Sequence, residues 1–222
     1  MAFVLYDTKP TTEYAAFDRA FDWFNSELFG GLLPACLITL QRKPRARGYF
    51  SPERFSGRQA DRRTDEIALN PDTFGDRTDK EILSTLVHEM AHLWQAHFGD
   101  PGRGRYHNKE WADKMLEIGL HPSSTAQPGG KMTGDAVSHY ILEDGPFSKS
   151  ADRLLATGFR LNWQSGGGHA AGGTGNPSGA GPAPRRDKVK YTCPGCGINV
   201  WGKSGLQLAC MECGGEPLTE AE

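Results

Sequence analysis

The stretch TDKEILSTLVHEMAHLWQAHF, residues 78–98, decides how this chain is read. Thr78 followed three residues later by Glu81 has the form of a capping box, in which each side chain serves the other's backbone amide at a helix start. Ile82, Leu83, Leu86, Val87, Met90, Leu93 and Trp94 then recur at helical spacing, and Gly99-Asp100-Pro101-Gly102 supplies a stop. A helix from about 78 to 98 is expected, with those residues buried. Inside it lie His88-Glu89-Met90-Ala91-His92. One turn separates the two histidines, ~6 Å along the axis and ~40° around it, so both imidazoles can reach one ion. Neutral imidazoles suit zinc, and two of them leave positions for a third protein ligand and a water. The ion lowers the pKa of that water, and Glu89 is placed to take its proton and pass it to a leaving amine.

Working outward, Phe17, Ala20, Phe21, Phe24 and Leu28 share one face of a helix expected over 11–31, which Pro34 stops. Three short stretches, 36–41, 47–50 and 66–69, are separated by turn-prone residues and are expected to form a small antiparallel sheet. After the central helix comes a basic loop, Arg103-Gly104-Arg105. A further helix is expected over about 108–118, with Trp111, Met115 and Leu116 turned inward and Gly119 at its left-handed end. In the weaker region 121–163 a strand is expected at 137–142 and a short helix at 150–157. The fold class is α+β: a helix, a small sheet and a metal-binding helix pair.

The third ligand is open on spacing alone. The metzincin pattern would need glycine and histidine where Gln95 and Phe98 stand, so that class is excluded. His97 lies ~140° round the helix from His92 and reads as an exposed or capping residue. Glu110, Glu117 and His107 remain. His88-Glu89-x-x-His92, fourteen intervening residues, then His107-Asn108-Lys109-Glu110-Trp111 resembles the SprT/Spartan family of zinc metalloproteases. In that family the third histidine opens a helix as His-Gly-x-x-aromatic; Asn108 stands here in place of the glycine. The resemblance covers about residues 11–120, and it implies a zincin-like core with His88, His92 and His107 as ligands of a catalytic Zn2+, Glu110 in reserve and Glu89 as the catalytic residue. It also implies action on proteins covalently trapped on DNA. Tyr106, His121, His139 and Tyr140 are polar candidates for stabilising an oxyanion, none of them assigned.

Cys193-Pro194-Gly195-Cys196 and Cys210-Met211-Glu212-Cys213, thirteen residues apart, form a second motif. Four thiolates in two knuckles close a tetrahedral shell, so a structural Zn2+ is expected, with Gly197 and Gly214 freeing the backbone to turn toward the sulfurs. Val200-Trp201 suits a strand of a zinc ribbon, a C-terminal feature in which bacterial SprT-like proteins resemble this chain. A ribbon of about 35 residues buries too little surface to fold without its ion. Cys36, outside the pairs, reads as a small buried residue. Ser165 to Pro184 holds eight glycines and three prolines and reads as a linker. The expected organisation is a SprT-like protease domain at 1–163, a linker at 164–186 and a ribbon at 187–222.

At 222 residues and 24.3 kDa, with 37% hydrophobic residues and 25 basic against 27 acidic ones, the chain can bury a core and carries no uniform basic coat. No run approaches the ~20 apolar residues of a membrane span and the start lacks the order of a signal peptide, so a cytoplasmic protein without membrane contact is expected. Charge is nonetheless uneven. Between 42 and 63, Arg42, Lys43, Arg45, Arg47, Arg54, Arg58, Arg62 and Arg63 stand against Glu53 and Asp61, with Tyr49, Phe50 and Phe55 interleaved. Arg103, Arg105 and Lys109 form a second cluster, and Arg185, Arg186, Lys188 and Lys190 a third. These are either solvated faces or a track for phosphates and unpaired bases. The family resemblance favours the track, with single-stranded or distorted duplex DNA as partner. Three functions compete: a DNA-associated zinc endopeptidase, a DNA-binding or regulatory ribbon protein with a non-catalytic zincin core, and a peptidase unrelated to DNA.

Overall fold

Thr78 caps the central helix as its sequence requires. In the computed structural model, which describes residues 11–59, 62–104, 106–165 and 188–220, the Thr78 hydroxyl accepts the Glu81 N–H at 3.3 Å and the Glu81 carboxylate accepts the Thr78 N–H at 2.7 Å. Two compact units divide the chain, Met1–His169 and Ala170–Glu222. In the first, α1 (Thr11–Phe29), β1 (Leu37–Leu40), β2 (Gly48–Ser56) and β3 (Arg63–Leu69) precede α2 (Asp79–Phe98); α3 (Lys109–Glu117), β4 (Leu120–Ser123), β5 (Ser138–Ile141) and α4 (Pro146–Ala156) follow.

The middle of α2 is buried all round, because α1, α3, α4 and the sheet pack on different sides of it. Ile82, Leu83, Leu86, Val87, Met90 and Leu93 are buried as expected, while Trp94 is half-buried with Lys114 Nζ 4.5 Å above its ring. Ser84, Thr85, His88 and Glu89 are buried with the apolar residues. That departs from the polar-outside rule for a surface helix and marks α2 as the element built to carry a site. From α1, Phe17, Ala20, Phe21 and Phe24 enter the core, joined by Phe29, whereas Leu28 is half-buried. In α3, Trp111, Ala112 and Met115 are buried and Leu116 is half-buried.

The sheet has order β1-β3-β2. β2 and β3 are antiparallel, as expected; β1, however, runs parallel to β3, with Ile38 opposite Ile67. The reason lies in the connection between β1 and β2, which crosses the end of β3. There Gln41 N–H donates to Leu69 O and Asn70 N–H to Arg47 O. The buried Asn70 amide donates to both Lys43 O and Ala46 O at 2.8 Å, pinning the crossing. β2 is thereby left as the edge strand beside α2, and beyond a bulge between Ser51 and Phe55 it continues as an exposed hairpin with β3. β4 was not anticipated; it pairs with β5, whose position was, and α4 begins at Pro146, ahead of the expected start. Gly119, at φ +90, is required here: a Cβ would sit 2.8 Å from Pro146 N.

In the second unit β6 (Lys188–Thr192) lies between β7 (Asn199–Lys203) and β10 (Thr219–Glu220), and β8 (Ala209–Cys210) pairs with β9 (Glu216–Pro217). Tyr191 is 1% exposed, and its hydroxyl bonds Lys203 O, Glu220 and Leu206 N–H. Residues 166–186 of the expected linker, and 187 at the start of the expected ribbon, lie outside the described residues. No helix among the described residues is long and apolar enough to cross a membrane.

Replacing Thr78 by Ala is expected to lower unfolding free energy by about 1 kcal/mol, with Ser retaining most of it, as read from urea denaturation. Equal midpoints for parent and alanine variant would contradict the role given to this cap.

Candidate metal centre

α2 presents His88 and His92 one turn apart, and the segment ahead of α3 brings His107 to face them. His107 is held by its backbone: its N–H donates to Gly134 O at 2.9 Å and its carbonyl accepts the Gly134 N–H at 3.0 Å. The ligand-capable atoms of His88, His92 and His107 all lie within 4.8 Å of one another. Trp111, fully buried one turn into α3, touches every member: its ring is 4.9 Å from His88, 5.0 Å from His92 in a stacked arrangement, and 4.4 Å from His107. This indole walls the cluster, and its Nε1 is buried without a hydrogen-bond partner among the described residues.

Protonation favours a cation. Burial pushes His92 down to about 3, His88 well below its ordinary value and His107 down as well. All three are therefore neutral near pH 7, with lone pairs available and no proton to displace. His107 Nδ1–H donates to Gly134 O at 3.0 Å, which leaves its Nε2 bare. Three imidazoles fall one short of the four protein ligands that close a structural tetrahedral shell.

Glu89 is 5% exposed and receives the N–H of Phe50 from the edge strand β2. Burial raises its pKa to about 8, opposed by the positive charge of Lys43. A cation beside it would pull that value back down. The approach of β2 depends on Gly48, where a Cβ would lie 2.9 Å from Ala68 O and 3.1 Å from Glu89 Oε1. Nothing in the helical spacing of the motif signalled Gly48.

The other candidates lie elsewhere. Glu110 accepts from Gln95 Nε2 at 2.7 Å and from Asp100 N–H at 2.8 Å, tying the end of α2 to α3, and is not part of the histidine cluster. Glu117 is exposed and bonds Lys114. His97 meets Asp65 at 2.6 Å, and His121 stacks on Tyr140 at 4.7 Å. His139, which the sequence offered only as an oxyanion candidate, sits behind His88, Nδ1 to Nδ1 at 3.0 Å, with its Nε2 2.9 Å from Ser84 Oγ. No spacing rule reaches across the 51 positions that separate those histidines.

In the second unit the sulfurs of Cys193, Cys196, Cys210 and Cys213 likewise lie within 4.8 Å of one another. Cys196 and Cys210 are 3.6 Å apart, too long for the ~2.05 Å of a disulfide and close to the ~3.8 Å edge of a tetrahedral zinc–thiolate shell. The backbone N–H of Cys196 lowers the Cys193 thiol to about 7. Gly195 admits the approach, since a Cβ there would stand 3.0 Å from Cys213 Sγ. Cys36 is half-buried, and burial raises its pKa to about 12, which makes it inert.

Of the candidate DNA contacts, Arg45, Arg47, Arg58 and Arg62 are exposed, and Arg45, Arg58 and Arg62 make no ion pair among the described residues. Arg63 instead pairs with Glu53 at 3.4 Å and Arg103 with Asp135 at 3.1 Å. Arg105, Arg185 and Arg186 lie outside the described residues. Of the interleaved aromatics only Phe55 is exposed, at 38%; Tyr49 lies under Lys43 and Phe50 packs on the core.

Residues 17–128 match the model of the SprT-like family, a span holding β1 through β4 and all three clustered histidines. A Salmonella typhimurium protein described as an uncharacterized protein in the mucB 3' region is 52% identical over 59 residues, which are 26% of this chain and 80% of that protein.

The buried imidazoles make the metal-free chain acid-sensitive. His88, His92, His107 and His139 are held neutral when folded but protonate near 6.5 when unfolded, so stability falls as pH drops below about 6.5, and for His92 and His139 the loss continues down to about 3. Glu89 acts oppositely, binding its proton more tightly when folded and losing stability as pH rises from 4.5 to about 8. Four imidazoles outweigh one carboxyl where the windows overlap. Denaturation midpoints of the chelator-treated protein should therefore fall from pH 7 to pH 5; a rising midpoint would refute the burial assigned to these groups.

Proposed function

Because the chain belongs to the SprT-like family, we propose that it is a zinc-dependent endopeptidase that acts on DNA-bound or DNA-crosslinked proteins. The observation that carries the reading is the convergence of three neutral imidazoles from α2 and the head of α3 with a buried glutamate between the first two. His88, His92 and His107 hold the ion. When bound, zinc polarises a scissile carbonyl and acidifies a water. Glu89, oriented by the Phe50 N–H, takes a proton on its carboxylate from the attacking water and returns it to the leaving amine. Trp111 keeps solvent from one side of the cluster, which strengthens electrostatic interactions inside it. Cys193, Cys196, Cys210 and Cys213 hold a second zinc with no open position, supplying folding energy to the small second unit.

DNA association is supported by the exposed hairpin of β2 and β3. Past Ser51 that hairpin packs little apolar surface, yet it carries Arg58 and Arg62 at its tip, charges suited to phosphates.

The test is cleavage of a DNA-binding protein by the zinc-loaded chain without DNA, with single-stranded DNA and with duplex. Glu89→Gln is expected to slow cleavage by about 10²–10⁴-fold at unchanged zinc content. Replacing Arg58 and Arg62 by Gln should remove DNA stimulation and spare basal cleavage. Cleavage that survives Glu89→Gln sinks the mechanism; Glu89-dependent cleavage indifferent to DNA leaves an ordinary peptidase; DNA binding without cleavage leaves a binding module.

A further inference from the structure

Every proton in the network behind His88 can be placed from one fixed point. Ser84 Oγ lies 2.8 Å from Glu81 O, and a carbonyl only accepts, so the hydroxyl proton is committed there. Toward His139 Nε2, at 2.9 Å, Ser84 can then only accept, which puts a proton on His139 Nε2. A neutral His139 has its lone pair on Nδ1, 3.0 Å from His88 Nδ1, so His88 must donate from that atom. His88 is left with its lone pair on Nε2. His139 is buried, and its side-chain hydrogen-bond partners are an imidazole and a hydroxyl with no carboxylate among them, so the site accommodates its neutral form.

We propose that His139 is a positioning residue that, braced by Ser84, fixes the tautomer and ring orientation of His88 so that Nε2 faces the cluster. The proposal rests on the reading of His88, His92 and His107 as metal ligands. Its physical basis is general: an imidazole whose outer nitrogen is anchored as a donor is oriented and made more basic at the inner one. His107 receives the same treatment from Gly134 O at 3.0 Å. Gly134 and His139 both belong to the stretch from the end of β4 through β5, so one hairpin braces a ligand on α2 and another in the segment ahead of α3. Without the Ser84 hydroxyl, His139 can take its other tautomer and present Nδ1–H to His88. His88 then accepts, and its own proton moves to Nε2, where it blocks coordination.

The variants are Ser84→Ala, His139→Leu and His139→Asn, the last keeping an acceptor at the Nδ1 position. Long-range ¹H–¹⁵N spectra of the metal-free parent at pH 7 should show His139 protonated on Nε2 and His88 on Nδ1. Co²⁺ affinity at the histidine site is read by chelator competition, the visible bands of that site being separable from the thiolate absorption of the four cysteines. His139→Leu should weaken it about 10–100-fold, Ser84→Ala should weaken it and raise the His88 Nε2–H population, and His139→Asn should recover most of the loss. The positioning role is overturned by parental affinity and cobalt spectrum in His139→Leu and Ser84→Ala, or by Asn proving as weak as Leu. A parent with the assigned tautomers that takes up no ion at its histidines would instead overturn the metal reading and the positioning role with it, leaving the relay as a purely structural contact.

Discussion

Burying ionisable side chains in the middle of a helix is the constraint that the rest of the first unit answers. His88, Glu89 and Ser84 occupy a part of α2 that is closed on every side, and a buried polar group without a partner costs on the order of 1–3 kcal/mol. The neighbouring elements can be understood as partners for those groups. β2 contributes the Phe50 N–H to Glu89, the segment before α3 contributes His107, and β5 contributes His139. The fold is therefore arranged around a polar centre, with the apolar residues of α1, α4 and the inner faces of the sheet forming the surrounding core.

That arrangement explains which parts were legible in the sequence. α2 was, because its cap, its apolar repeat and its stop are all local, and the pair His88/His92 is fixed by helix geometry alone. The cysteine knuckles were equally legible, since a Cys-x-x-Cys spacing carries its own geometry. His107 needed the family resemblance, because a loop lies between it and α2. The parallel pairing of β1, the edge position of β2, the need for Gly48 and the bond of His139 to His88 were not legible. Each depends on chain segments far apart in sequence meeting in register, and no local propensity encodes that. Trp94 and Leu116 show the same limit on a smaller scale: the helical period puts them toward the core, but half-burial results where Lys114 covers Trp94 and Ala112 takes the inner place in α3.

The electrostatics of the centre are asymmetric. Burial drives the imidazoles and the carboxyl alike toward neutrality, which prepares the histidines to bind a cation and, without one, leaves Glu89 largely protonated at neutral pH. A cation in the cluster would reverse the second effect without disturbing the first, so Glu89 would ionise at neutral pH once the site is loaded. Lys43, lying 4.2 Å over the Tyr49 ring at the β1–β2 crossing, pulls in the same direction. The crossing pinned by Asn70 thus bears on the chemistry as well as on the topology.

Asn108 shows how this chain meets a departure from the family's usual pattern. The glycine expected after the third histidine would be needed if that position took a left-handed torsion, but Asn108 has φ −86 and ψ −179, an extended conformation open to any residue. Its side chain then does what a glycine cannot. Oδ1 accepts the Trp111 N–H at 3.0 Å, capping α3, and the Gln95 amide at 2.7 Å, while Nδ2 donates to Asp100 O at 2.8 Å. With Glu110 bonding Gln95 and Asp100 in the same junction, the end of α2 is fastened to the start of α3. His107 immediately precedes that junction, so the rigidity Asn108 gives the α2–α3 corner is rigidity in the distance between His92 and His107.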